Sequence, residues 1–316
     1  MRFSSVRTAA FVLGRELAIT ALLLAGVSLV VFAILFLAPG DPFSLLLEGQ
    51  MGDDAVREAL GVPTAWYAQY LSWVSNILRG NFGTSVHTGL PVLSEIIRVG
   101  INTLYLTLGA LLITLVIAIP IALLSARMGN TSLTLPLTIA AYVISALPVF
   151  WLGYIAIYIS THRFGAFPIV VGSSGTQGLN MTAFLLPIVV LGVGNGTISE
   201  VVRYLREEMG RVFAEEYIRT AKAKGGSVWR HSVREGFIVP ITQIIATKIP
   251  FVLGGAVVVE QVFNWPGMGR MAWQAAQTRD YPLIMGITII AAVIVRMGSL
   301  LQRVVHFMVN PAAAGD

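Results

Sequence analysis

The sequence predicts an all-α integral membrane protein, with six transmembrane helices, a long extracytoplasmic segment after the first, and a short cytoplasmic helix between the fourth and fifth. Three observations carry this. Hydrophobic residues make up 56% of the 316 residues and charged residues 12%, against roughly 25% charged in soluble domains. Apolar runs of about 20 residues, enough to cross the hydrocarbon core as a helix, recur along the chain. Lysine and arginine gather on alternate connections between these runs, the pattern that orients membrane proteins. The net charge of +5 therefore reports membrane flanks rather than a nucleic-acid surface. Cysteine is absent, which excludes a disulfide framework, a thiolate metal site and a cysteine nucleophile.

The first element is Ala18 to Ala38, uncharged and too long for the core of a signal peptide, so it reads as a retained span. The turn Pro39-Gly40-Asp41-Pro42 ends it, and the extracytoplasmic segment runs on to Asn102. Within that segment Trp66, Tyr67, Tyr70 and Trp73 share one helical face. Such a face suits an aromatic belt resting on headgroups or an outer surface open to a partner. The later spans are about Thr103 to Ala126, Leu133 to Ser160, Thr182 to Val202, Phe237 to Phe263 and Leu283 to Phe307. With the N terminus inside, thirteen Lys and Arg fall on inner connections and six on outer ones, Lys248 and Arg296 lying within spans. Both termini are thus expected in the cytoplasm.

That orientation places the stretch EEYIRTAKAKGGSVWRHSVREGFIVP, Glu215 to Pro240, on the cytoplasmic side. It is the most densely basic part of the chain. Its first part is rich in helix formers and meets a stop signal at Gly225-Gly226. A basic loop that only enforces topology, its long side chains snorkelling, is one reading. The small residues Ala221, Ala223 and Gly225 alternate with Lys222 and Lys224, however, and would let another surface approach closely.

Polar residues within or near the spans are few. Lys248 and Arg296 each cost about 2.5 to 3.5 kcal/mol on insertion scales, so each should meet water or a polar partner. Lys248 reads as lining a path or pairing with backbone or a partner chain; Arg296, nearer the cytoplasm, as snorkelling or lining the same path. Gly192, Gly194, Asn195 and Gly196 interrupt the fourth span, for close packing or for a cavity-facing kink. Glu200 and Glu260, at span ends, read as anchors or ion-pair partners. No H-E-x-x-H spacing is present, and no G-x-x-x-x-G-K-[ST] phosphate loop, so any ATP is hydrolysed on another chain.

YIRTAKAKG, followed by IVP at Ile238 to Pro240, resembles the cytoplasmic EAA motif of permease subunits of ABC importers. FLAPGDP (Phe36 to Pro42), LPVFWLG (Leu147 to Gly153) and VVVEQVFNWPGMGRMAWQAAQTRDYPLIMG (Val257 to Gly286) are similar to the dipeptide, oligopeptide and nickel branch of that family. The segments cover most of the chain in the family's order.

The resemblance implies a non-enzymatic subunit in the cytoplasmic (inner) membrane of a prokaryote. It would work with a second permease, two ATPase subunits or one fused pair, and an extracytoplasmic substrate-binding protein. ATP and Mg would be used by those partners, with no cofactor bound by this chain. The coupling helix would be Glu216, Tyr217, Arg219, Thr220, Ala221, Lys222, Ala223, Lys224 and Gly225, within a loop of about 206–236. Arg219 and Thr220 stand where the family's pattern begins with glutamate and alanine. Trp265, Arg279, Asp280 and Tyr281 would belong to the face that receives the binding protein. Lys248, Asn195 and Arg296 would border the translocation pathway. The chain would divide into an N-terminal segment, 1–102, and a core permease domain, 103–316. The cargo implied is di- or oligopeptides, or else nickel chelates, haem or another small solute.

Two other classes make different demands. A secondary transporter should show acidic ion-coupling residues at the midplane or broken helices in matching halves, and the sequence offers neither such an acidic pair nor an internal repeat. A membrane-bound enzyme needs a nucleophile and base at bilayer depth, and no histidine is placed to serve.

Overall fold

The computed structural model describes residues 2–37, 65–165, 181–194, 196–225, 240–241, 244, 254 and 256–309. Helices dominate these residues, and the one extended pairing among them is an isolated antiparallel bridge, Thr84 with Pro91. The chain forms two compact units, residues 1–100 with 271–296, and residues 101–270 with 297–316.

The first unit contains α1 (Arg2–Leu37), α2 (Trp66–Leu78), the start of α3 (Val92–Met128), the end of α9 (Met268–Thr278) and the first part of α10 (Tyr281–Val309). Within Gly14–Leu37 of α1 an 18-residue stretch is strongly apolar, and only 6% of it is buried. A helix apolar all round and bare of protein is suited to lipid. Tyr70 ties α2 to it. The phenol lies 2.9 Å from Ser28 Oγ, donates to Ala25 O at 3.3 Å, and meets Phe32 edge-on at 5.4 Å. The predicted aromatic face is thereby divided, since Trp66 and Tyr67 remain exposed.

The second unit holds the rest of α3, with α4 (Thr134–Ser145), α5 (Val149–Phe164), α6 (Met181–Val193), α7 (Thr197–Ala214) and α8 (Glu216–Ala223). Its core runs through Leu106, Ala110, Leu191, Val259 and Phe263, and through Ala118, Ala122, Val201, Val202 and Leu205. Lipid is as apolar as leucine, so membrane helices associate through close packing of small residues and occasional hydrogen bonds. The α3–α6 contact shows both. Thr114 Oγ1 donates to Gly192 O at 2.6 Å, and a Cβ on Gly192 would fall 2.6 Å from Ala110 O.

Two helices begin earlier than the predicted spans, α1 at Arg2 rather than Ala18 and α3 at Val92 rather than Thr103, and two predicted spans are broken. Leu133 to Ser160 is not one helix but α4 and α5, bent by 101°. Pro148 N-caps α5; proline lacks the N–H that would continue the ladder and disfavours helix at the residue before it. Thr182 to Val202 is likewise α6 and α7, bent by 49° where Gly194 and Gly196 fall, Gly196 having φ +74°. α7 then continues to Ala214, beyond the predicted end, because Val201, Val202, Leu205, Met209 and Val212 keep a buried stripe after the hydropathy has dropped. The described residues therefore hold three helices able to span a membrane, or up to five if each bent pair counts as one. Most of the predicted span Phe237 to Phe263 lies outside the described residues.

Candidate coupling helix and buried polar anchors

α7 ends at Glu215, whose extended backbone (ψ 145°) turns the chain into α8. Ile218 N and Arg219 N bond back to Glu215 O, at 3.1 and 3.4 Å, and Thr220 Oγ1 donates to Glu216 O at 3.1 Å. Ile218 is buried, whereas Glu216, Tyr217, Arg219, Thr220, Ala223, Lys224 and Gly225 are exposed. Among its described side chains, Ile218 is thus buried in a short helix that otherwise lies exposed. Lys224 N bonds to Thr220 O at 3.1 Å, and Gly225 closes the helix at φ +69°, a conformation glycine adopts without Cβ strain. Ala221 and Lys222 are helical, with their side chains outside the described set.

In the first unit, Arg296 of α10 reaches α1. Its Nη2 lies 3.4 Å from Glu16 Oε2 and donates to Thr20 Oγ1 at 3.0 Å; Nε donates to the same hydroxyl at 3.3 Å. The side chains are 15% and 3% exposed, so a charge pair stands where each partner alone would be costly. Sequence reasoning missed Glu16 by starting the span at Ala18; an acid at one end of an apolar run and a lone arginine in another were the available signal.

A second carboxylate is buried among the backbone of the Trp265-Pro266-Gly267 turn. Glu260 has no exposed surface. Thr103 Oγ1 donates to its Oε1 at 2.7 Å and Arg270 N to its Oε2 at 2.8 Å, while Met268 N donates to Thr103 Oγ1 at 2.7 Å. A Cβ on Gly267 would overlap the carboxylate, and one on Gly269 would fall 2.7 Å from Val257 Cα. The glycines of the turn are what let the chain fold over the acid. Glu260 thus serves as an anchor, and Thr103 is the partner that sequence spacing could not reveal.

A third acid, Asp280, joins two loops of the first unit. Its Oδ2 accepts from Ser85 Oγ at 2.5 Å and from His87 N at 3.4 Å, and its Oδ1 accepts from Leu283 N, in the first turn of α10, at 3.2 Å.

Residues 118–314 match the family of binding-protein-dependent transport system inner membrane components. The chain belongs to that family. Over 321 aligned residues this permease is 36% identical to the oligopeptide transport system permease protein AppB of Bacillus subtilis (strain 168), across 96% of this chain and 98% of the relative. It is 31% identical to a probable peptide ABC transporter permease protein, y4tP, of Sinorhizobium fredii, across 94% and 97%. The glutathione transport system permease protein GsiC of Escherichia coli (strain K12) is 32% identical across 90% and 93%.

The residues predicted to act in the permease fall in distinct places. The α8 set forms one continuous exposed element, as far as its side chains are described. Arg279 is exposed, with φ +56°, and Asp280 beside it is buried. Trp265 is buried, its Nε1 donating to Asn102 O at 3.1 Å and its ring 5.4 Å from Phe184. Lys248 and Asn195 lie outside the described residues.

Proposed function

We propose that this chain is the permease subunit of an ATP-driven importer that carries di- or oligopeptides across the cytoplasmic membrane by alternating access. The observation that carries this is the 36% identity, over nearly the whole chain, with a relative named as an oligopeptide permease. In this reading six spans cross the membrane, Phe237 to Phe263 among them, with both termini cytoplasmic, as the thirteen-to-six distribution of Lys and Arg favours.

A second permease, the ATPase subunits and an extracytoplasmic binding protein complete the complex, and ATP with Mg is used on the ATPase subunits. Swinging a two-state pathway from 1:99 to 99:1 takes about 5.5 kcal/mol of differential binding, and that work enters through α8. Glu216 to Gly225 dock on an ATPase groove, and the continuous α7–α8 connection carries the movement into the spans. The support is the exposure of α8, where Ile218 is the buried one among the described side chains. Lys248 and Asn195 border the pathway, Lys248 favouring a carboxylate-bearing cargo. Trp265, Arg279, Asp280 and Tyr281 lie with the face that meets the binding protein, Trp265 as a buried support and Arg279 as an exposed contact.

Gentle purification of the tagged chain from its native membrane, followed by mass spectrometry and peptide uptake in proteoliposomes, tests the reading. Recovery of ATPase subunits and a second permease, with ATP-dependent peptide uptake, is expected. Peptide-independent hydrolysis with uptake of another solute would replace the cargo. Transport by the chain alone without ATP would overturn the importer.

A further inference from the structure

The buried apolar residues of the second unit form two clusters, and α3 passes through both. One joins Val149 of α5 and Leu191 of α6 to Leu106 and Ala110 of α3; the other joins Ala141 of α4 and Val202 of α7 to Ala118 and Ala122. α5 therefore packs on α6, and α4 on α7. Between the clusters the described helices are broken or weakened. α4 stops at Ser145 before α5 begins at Val149, and α6 stops at Val193 before α7 begins at Thr197. In α3, Pro120 lacks the N–H that would bond to Val116 O, and Val116 lies between Ala110 and Ala118, where the clusters divide.

Each half has its own ties. In the half that leads to α8, Ser125 Oγ of α3 lies 3.2 Å from Thr138 Oγ1 of α4, and Arg206 Nη2 of α7 donates to Asn130 Oδ1 at 3.0 Å. The other half is held by close approach, a Cβ on Gly109, Gly153 or Gly192 falling 2.9 Å or less from a neighbouring atom. Ser145 completes the first half. Gly196 holds the N-cap of α7 and has no side chain to offer; Ser199 N, in the first turn, donates instead to Ser145 Oγ at 3.2 Å. That is the bond a serine N-cap makes to its own helix, delivered here from the end of α4 by a residue only 7% exposed.

Hinges are a few residues at element ends that absorb backbone change between bodies that stay packed. We propose that the shared break is the hinge of transport, about which α4, α7 and α8 swing as one body against α5 and α6, and that Ser145 is the positioning residue that keeps α4 and α7 together. The inference deepens the importer reading above and rests on it. Work entering at α8 reaches the pathway as a change of angle within this chain, not as a rotation of the whole chain.

The test uses the complete complex in nanodiscs. The chain has no cysteine, so with partner chains also freed of cysteine, spin labels attach only where one is introduced. Leu135→Cys on α4, Tyr158→Cys on α5, Leu185→Cys on α6 and Arg203→Cys on α7 are exposed positions, labelled two at a time. Between the nucleotide-free and ATP-bound states, the 135–158 and 185–203 distances, which cross the break, are expected to shift by about 2 Å or more. The 135–203 and 158–185 distances, each within one half, stay constant. Ser145→Ala should leave ATP hydrolysis running while peptides transported per ATP fall about fivefold, the change that one lost N-cap bond corresponds to. Its 135–203 distance should broaden, and Ser145→Thr, which keeps the hydroxyl, should restore both.

Crossing distances that do not change with nucleotide overturn the hinge, and so do distances within a half that change as much as those across it. Transport per ATP within roughly twofold of wild type in Ser145→Ala, or a lowered melting temperature with normal coupling, overturns the role of Ser145. Should Ser145→Ala fail to assemble, the four distances decide the hinge and Ser145→Thr decides the residue. A wild-type complex whose uptake ignores ATP refutes the importer reading itself, so the two failures are distinguishable.

Discussion

Arg296 Nη2 lies 3.4 Å from Glu16 Oε2, joining α10 to α1, a helix that Tyr70 of α2 also holds. Removing one member of a buried pair leaves the other charge uncompensated, at about 3–5 kcal/mol, whereas replacing both with apolar residues is often close to neutral. Arg296→Leu should therefore lower the melting temperature of the detergent-solubilised protein clearly, and Glu16→Leu with Arg296→Leu should recover most of the loss. Arg15, 3.9 Å from Glu16 but 60% exposed, is a weak substitute. Equal melting of the single and double variants would show that the pair is not what holds α1.

The Glu260 anchor makes a sharper prediction. Gly267→Ala pushes a methyl group into the buried carboxylate, and overpacking of this kind costs about 1–3 kcal/mol or more. Gly267→Ala should reduce the folded yield strongly. Thr103→Val, which removes one donor to the same acid and also the acceptor of Met268 N, should destabilise less. A fluorescence-detected size-exclusion profile of Gly267→Ala matching wild type would contradict the described packing of the turn.

Two glycines separate packing from propensity. Gly192→Ala would set a Cβ 2.6 Å from Ala110 O, while at Gly26 nothing lies within 4 Å. Gly192→Ala should destabilise by about 1–3 kcal/mol, and Gly26→Ala should be neutral or stabilise by roughly 0.5–1 kcal/mol through the helix preference of alanine. Thermal unfolding of both in one detergent settles the order; a reversed order would mean that α3 and α6 do not approach as closely as described.

What the sequence disclosed and what it hid follow one physical division. Local features were legible. The helix formers ending at Gly225 predicted a short helix, and α8 with its left-handed Gly225 stands there. Apolar length predicted the membrane-length parts of α1, α3 and α10, but not the start of α3 at Val92, ahead of the apolar run. The breaks at Pro148 and at Gly194–Gly196 were not resolved, because hydropathy averages over a window while a bend is a property of two or three residues. Broken helices in matching halves are a mark of secondary transporters; here two bent pairs follow one another in the middle of the chain, within a family match that decides against that class. Least legible were the polar anchors. Ser85 with Asp280 and Thr103 with Glu260 are 195 and 157 residues apart, and no periodicity records a pairing at that range.

The docking role of α8 is tested by separating backbone strain from contact. Gly225 has φ +69° with nothing among the described residues within 4 Å of its Cβ position, so Gly225→Val meets no steric obstacle from them, and its cost to the fold is local strain of about 1–2 kcal/mol. Ile218 still tethers the helix, so the complex should assemble. If α8 sits in an ATPase groove, a branched side chain at 225, or tryptophan in Ala221→Trp, occupies space the partner needs. The expected outcome is ATP hydrolysis that continues while peptides transported per ATP fall at least about tenfold, the change that 1.4 kcal/mol of lost coupling produces. Exposed Arg219, replaced as Arg219→Ala, should weaken binding of the ATPase subunits and leave the melting temperature of the permease alone nearly unchanged, since surface substitutions usually fall within about 0.5 kcal/mol. Wild-type coupling in both Gly225→Val and Ala221→Trp, measured as uptake against hydrolysis in the same vesicles, would move the ATPase contact elsewhere on the chain.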